Sequence, residues 1–356
     1  MKRLLVIILL LLLLVLVLPV QGQEVLYLYN WNNYISADTA RRFEAACGCI
    51  LKQDYYSDNE EMLAKLDAGA EGYDLLVPTG NAVEALIRRG ALRPLDKSRL
   101  PHLGNEKKEF LNPWYDPGNR YSVPYATTVT LIGYNADKLR ELGLPTDTWA
   151  LIFEPKYLEK LKGKVTVLNS QRELMAAAMK YLGHSVQDTD PAKWEQAKRL
   201  ILRAKPYWAT FSNSTYIKDL AIGTIWVAHG YSNDMWRAQQ DARAAKRPFT
   251  IGFTTPREGA VLAVDNFVLH RSGRHPELAL KFIDFMLDGT NAADVSNLIG
   301  AGNPNAAAME YLRPEVAGNP GIFPPPTDLV RLEMLRDFDP ALRRVLSRMW
   351  TQIKVK

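Results

Sequence analysis

The sequence predicts two α/β lobes, each a mostly parallel sheet flanked by helices, joined by a pair of crossing strands. Three observations carry that reading. Strands and helices alternate in two separate series along the chain. Two extended segments, Tyr121–Tyr134 and Phe249–Leu269, are too long and unbroken for ordinary loops. The 356 residues also exceed one ordinary core and suit roughly two lobes of ~150 residues. A single large doubly wound sheet is the alternative architecture for the same pattern.

In the first series, Glu24–Tyr29 is a continuous β-type run. Ser36 opens a helix with Ala40, Phe43 and Cys47 on one face, and Gly48 ends it. Cys49–Tyr55 reads as a strand, and Ser57-Asp-Asn-Glu60 as a capping box for the next helix. Tyr73–Val77 is a buried strand, followed by a helix over Asn81–Arg89 that Gly90 closes. This β-α order requires a mostly parallel sheet with helices on its faces. The second series comprises a strand at Val165–Leu168 and helices at Arg172–Leu182 and Pro191–Ala204. It continues with a strand at Thr224–Ala228 and a helix at Ser232–Ala245.

Composition narrows the function classes. With 47% hydrophobic and 23% charged residues, the chain has globular proportions. Met1-Lys2-Arg3 is a basic start, and Leu4–Leu18 is an unbroken apolar run of fifteen residues before Pro19 and Val20-Gln21-Gly22. A spanning helix needs ~20 apolar residues, whereas signal-peptide cores run ~7–15. Residues 1–22 therefore read as a signal peptide cut near Gly22, with an uncleaved N-terminal anchor as the alternative. Removing Lys2 and Arg3 leaves 42 basic residues against 39 acidic, too mild a surplus to argue for nucleic acid. Cys47 and Cys49 are spaced too tightly for an ordinary disulfide and read as small buried hydrophobes; a vicinal bridge or a metal site stays open.

Catalytic patterns are missing. The sequence has no H-E-x-x-H, no Walker loop and no G-x-G-x-x-G after its first strand. Gly230-Tyr-Ser232-Asn-Asp234 starts like a nucleophile elbow but lacks the closing glycine. The chain therefore reads as a non-enzyme without a cofactor or metal. What stands out is a set of polar and aromatic residues at strand ends, where open α/β sheets bind ligands. The first strand delivers Asn30-Trp31-Asn32-Asn33-Tyr34, and the third delivers Pro78-Thr79-Gly80-Asn81. Tyr231 and Asp234 follow the Thr224–Ala228 strand, and Asp265 sits on the second crossing segment. Singly, Trp31 could plug the core, Asp234 could cap a helix and Asp265 could hold a hinge hydrogen bond. Together they license a polar ligand, with a cation among the options.

At these residues the sequence resembles the periplasmic polyamine-binding proteins that serve ABC importers, the putrescine-binding branch more than the spermidine-binding one. Tyr29-Asn-Trp-x-x-Tyr34, Tyr73-Asp-Leu-Leu-Val-Pro78, Pro94-Leu-Asp-Lys97, Ser122-Val-Pro-Tyr125 and Asn319-Pro-Gly-Ile-Phe-Pro-Pro325 carry the likeness. It runs from about Val25 to the C-terminus. The resemblance implies a type II solute-binding clamshell closing on a polycation, monomeric, in the periplasm, and partnered by an inner-membrane ABC permease. It divides the chain into a first lobe of residues 23–130 plus 264–305 and a second of 131–263 plus 306–356. Residue by residue, Trp31 and Tyr34 match first-lobe aromatics, Thr79 a serine, Glu173 and Asp234 second-lobe acids, and Asp265 the amine-gripping carboxylate.

The departures concern the ligand. Asn33 replaces an acid, Tyr231 a tryptophan, Ala263 a large aromatic and Ala301 a tyrosine; Ser170 stands where the spermidine branch has an acid. A different small cationic or polar ligand, or sensing without transport, is the alternative function. Asparagine at 33 accepts a hydrogen bond but brings no charge to an ammonium. Asn33→Asp is expected to tighten putrescine binding by roughly 1–3 kcal/mol, the scale of a hydrogen bond to a charged group. Calorimetry on this variant checks it, and unchanged affinity would remove residue 33 from the amine's surroundings.

Overall fold

The computed structural model describes residues 23–32 and 34–355; the N-terminal apolar run and Asn33 lie outside them. The first lobe opens with β1 (Val25–Trp31), α1 (Ala37–Cys47), β2 (Ile50–Tyr56), α2 (Asn59–Asp67), β3 (Leu75–Leu76), α3 (Gly80–Arg88) and β4 (Leu92–Arg93). Capping sets the helix starts. The Ser36 hydroxyl accepts from the Thr39 amide at 2.9 Å, and Gly48, at φ +67°, turns the chain out of α1. The expected capping box lies one residue further on. Asp58 is the N-cap, and the Glu61 carboxylate reaches back to the Ser57 amide at 2.8 Å.

The long strand β5 (Ser122–Asn135) then crosses into the second lobe. There follow β6 (Val165–Val167), α4 (Gln171–Tyr181), α5 (Pro191–Ala204), β7 (Thr210–Phe211), α6 (Thr215–Ala221), β8 (Val227–Tyr231) and α7 (Ser232–Ala244). The segment expected as one long strand after α7 is two, β9 (Ile251–Thr254) and β10 (Ala260–His270), because the chain turns through Pro256–Gly259 with Gly259 at φ +92°. The strand expected at Thr224–Ala228 lies three residues later. Gly230 lets it run on: a Cβ there would overlap the Tyr216 ring and the Met235 side chain. The chain closes with α8 (Pro276–Leu287), α9 (Gly289–Ile299), β11 (Leu332–Glu333) and α10 (Pro340–Val355).

The strands form one hydrogen-bonded path in the order β2-β1-β3-β10-β5-β8-β6-β7. Its wings are parallel, β1 with β2 and β3, and β6 with β7 and β8. Its centre is antiparallel, contrary to a mostly parallel sheet: β10 pairs β5 from Val261↔Thr130 to Val268↔Ser122, and β5 pairs β8. A chain that crosses between lobes and returns must run its two crossing strands in opposite senses.

The cores divide along the same strands. Val123, Tyr125 and Ala126 of β5 join a core with Phe43, Phe267 and Phe282, whereas Val129, Leu131 and Ile132 join another with Trp149, Trp194 and Met235. The Ser232 hydroxyl accepts from the Val129 amide at 3.1 Å and so fastens α7 to β5, a structural use of the serine.

Cys47 and Cys49 are joined by a disulfide, which corrects the expectation of two small hydrophobes. Left-handed Gly48 curls the backbone between them, so their Cα atoms stand 5.2 Å apart, inside the disulfide range.

Gly300 ends α9 at φ +69° with its α-carbon against the Trp236 indole of α7. A methyl group there would overlap the ring on a backbone that L-residues avoid. Gly300→Ala is expected to destabilise the fold by about 1–3 kcal/mol, the usual cost of overpacking. Urea unfolding would register it as a lower midpoint with unchanged slope.

Candidate ligand-binding site

Strand ends from both lobes converge on a cleft of about 850 Å³. From β1 come Trp31, Asn32 and Tyr34; from the turn after β3 comes Thr79; from β8 and α7 come Tyr231 and Asp234; Glu173 rises from the first turn of α4. Asp265 lies on β10 where its register with β5 shifts. Of the residues expected at the site, Trp31, Tyr34, Thr79, Glu173, Tyr231, Asp234 and Asp265 all line this one cleft. Asn33 is outside the described residues.

The dull alternatives for single residues are part of the arrangement. Trp31 fixes its indole by donating to the Val77 carbonyl at 2.9 Å and packs against Tyr56 at 4.6 Å between ring centres. Thr79 occupies the N-cap position of α3 without using its hydroxyl as a cap. That hydroxyl donates to Asp265 Oδ1 at 2.8 Å and accepts from Asn59 Nδ2 at 3.0 Å. The Tyr34 hydroxyl donates to Asp265 Oδ2 at 3.0 Å. Asp234 accepts from the Tyr216 hydroxyl, and Glu173 from the Thr130 hydroxyl at 2.7 Å.

These three carboxyls share one property. Every side-chain hydrogen bond they receive among the described residues comes from a hydroxyl, and none from a cation. Asp265 is 2% exposed and Glu173 8%. Burial pushes Asp265 up to about 6 against the pull of the Thr79 and Tyr34 hydroxyls. Burial likewise raises Asp234 to about 6 and Glu173 to about 7, each opposed by its hydroxyl partner. Negative charge in this cleft is costly until a cation arrives.

The departures fall in two places. Ala263 lines the cleft, so the missing aromatic widens it there. Ala301 is fully enclosed in the first-lobe core with Val295 and Tyr125, and so is not a gap in the cleft wall, contrary to expectation. Ser170 lines the cleft while its hydroxyl caps α4. Sequence reading missed Tyr56, Asn59, Thr130 and Tyr216. Tyr56 ends β2 and obeys the same strand-end rule; its hydroxyl donates to the Val77 carbonyl at 2.5 Å. Thr130 and Tyr216 act through other side chains, a role that no spacing reveals.

Two lobes closing on a cleft, each supplying polar groups to it, define a solute-binding clamshell. Residues 38–324 match the bacterial extracellular solute-binding protein family. The putrescine/cadaverine-binding protein of Pseudomonas aeruginosa is 56% identical over 333 residues, 94% of each chain. The putrescine-binding periplasmic protein PotF of Escherichia coli is 36% identical over 93% of this chain and 92% of its own. Among solved structures, the Tp0655 (TpPotD) lipoprotein of Treponema pallidum superposes with a TM-score of 0.81 at 28% identity, covering 93% of this chain and 99% of that one. The chain belongs to the bacterial extracellular solute-binding proteins.

The raised carboxyls predict a pH-dependent stability. Asp265 has a folded value of about 6 against ~3.9 unfolded, so between these the folded state holds the extra proton. Its contribution therefore becomes less favourable as pH rises through that window. In thermal unfolding without ligand, the melting temperature of Asp265→Asn relative to wild type is expected to climb from pH 4 to pH 7 and then level off. A constant difference would mean that the carboxyl titrates normally.

Proposed function

We propose that the protein captures a linear diamine between its lobes. The observation that carries this reading is the set of three buried carboxyls, Asp265, Asp234 and Glu173, met by hydroxyls alone. A dication supplies charges that the chain itself withholds. Asp265 sits on the first-lobe side with Thr79 and Tyr34, and Asp234 and Glu173 on the second-lobe side. Ammonium groups paired at both sides hold the lobes together through charge-assisted hydrogen bonds. Trp31, Tyr34 and Tyr231 offer apolar and π surface to the methylenes between. The space beside Ala263 suits the extra methylene of cadaverine, and the names of the relatives support putrescine or cadaverine as cargo.

Closure turns on β5 and β10, which pass between the two cores. In this reading residues 1–22 export the chain to the periplasm, where as a monomer it delivers its cargo to an ABC permease. No helix among the described residues is long and apolar enough to cross a membrane.

Isothermal calorimetry with putrescine, cadaverine, spermidine, lysine and arginine tests the assignment. Diamines are expected to bind most tightly. Asp265→Ala is expected to cost roughly 3–5 kcal/mol, because it strands a buried ammonium. That corresponds to a loss of two to three decades in affinity at ~1.4 kcal/mol per decade. Binding of none of the amines, or wild-type affinity in Asp265→Ala, would overturn the reading.

A further inference from the structure

The far side of the same cleft carries the opposite charge pattern. Glu60 of α2 lines the cleft, and its carboxylate is matched across it by Arg172 of α4, with Nε 2.9 Å from Oε1. Asp337, on the segment that leads into α10, is ringed by Arg88, by Arg343 at 3.3 Å and by Arg172 at 3.9 Å. Asp67 is held by Arg89 at 2.8 Å. Asp58 is occupied in capping α2. Arg336 adds a guanidinium 4.3 Å above the Trp114 ring, with no carboxylate at ion-pair distance among the described residues. At the Asp265 end the carboxyls await a cation, whereas at this end arginines already match them.

We infer that Arg172 is a specificity-determining residue that limits the cargo to two ammonium groups. The inference rests on the diamine reading above. Arg172 directly precedes Glu173 on α4, and a Glu173-bound ligand that extended further would run toward the Glu60–Arg172 pair. A third ammonium there finds no unmatched carboxylate and must compete with a tethered guanidinium for Glu60. Arg172 is fixed for this role: besides Glu60 it donates to the Arg336 carbonyl at 3.2 Å. An arginine so held by several acceptors is harder to displace than a lone surface pair.

The test compares affinities for spermidine and putrescine by calorimetry. The wild type is expected to favour putrescine. Arg172→Gln frees the Glu60 carboxylate and is expected to raise the spermidine-to-putrescine affinity ratio about fivefold, on the scale of a partly exposed ion pair. Adding Glu60→Gln to that variant removes the freed charge and is expected to return the ratio to the wild-type value. Glu60→Gln alone, at an exposed helix position that cannot disturb the fold, is expected to lower the ratio by leaving Arg172 uncompensated. Equal changes for both amines in Arg172→Gln, a gain that survives the double substitution, or a wild type that favours spermidine would each overturn the inference. A wild type that binds neither amine would instead remove the diamine reading and this inference with it.

Discussion

The antiparallel pairing of β5 and β10 is the constraint on which the rest depends. Eight register pairs, from Val261↔Thr130 to Val268↔Ser122, tie two strands that each contribute side chains to both cores. Sheet hydrogen bonds resist shear and slippage, because a one-residue slip would turn every buried side chain outward. They permit twisting along the strand. The lobes can therefore rotate about this ribbon while each keeps its own packing. The register shift between Asp265 and Asn266 falls in the middle of the ribbon. Bulges re-aim side chains, and here the residue beside the irregularity is the carboxylate that accepts from Thr79 and Tyr34.

The site is costly to the empty protein. Three carboxyls are held where water is scarce, and burial raises all three. A buried arginine beside each would relieve that cost but would also occupy the place of the cargo. Hydroxyl partners are the compromise: Tyr34, Thr79, Thr130 and Tyr216 orient the carboxylates and accommodate either protonation state, while bringing no charge. The attraction withheld inside the protein becomes available to a ligand, and exclusion of water on closure strengthens each pair.

Much of this was legible in the chain because it is local. Ser36 and Gly48 bracket α1 through hydrogen bonds and a left-handed turn that involve only near neighbours. The strand-end rule picked out Trp31, Thr79, Asp234 and Asp265 because sheet topology leaves few other places for a ligand. What escaped was non-local or conformational. Val227–Tyr231 was misplaced because His229-Gly230 reads as a turn, yet His229 is fully buried and Gly230 is the residue that the Tyr216 ring requires. The disulfide was missed because its feasibility depends on the φ of Gly48, which residue spacing does not encode. Ala301 was misread because a position matched by family resemblance lies here inside the core.

The segment from β11 to α10 gives the clamshell a third connection of another kind. Leu332 and Glu333 extend the sheet by pairing with Ala260 and Val261, and Glu333 holds Lys180 of α4 at 2.6 Å. A few residues on, the Asp337 amide donates to Glu84 of α3 at 3.0 Å, and its carboxylate meets Arg88 of the same helix. One short stretch thus grips a helix in each lobe, mostly through ion pairs. Such contacts differ from the β5–β10 ribbon in consequence. The ribbon cannot open without loss of sheet, whereas ion pairs at a cleft edge exchange partners with water at little cost and weaken with salt. The strands therefore set the axis of motion. The charges at the edge, with Arg172 at their centre, set how readily the lobes separate and which ligands lie between them.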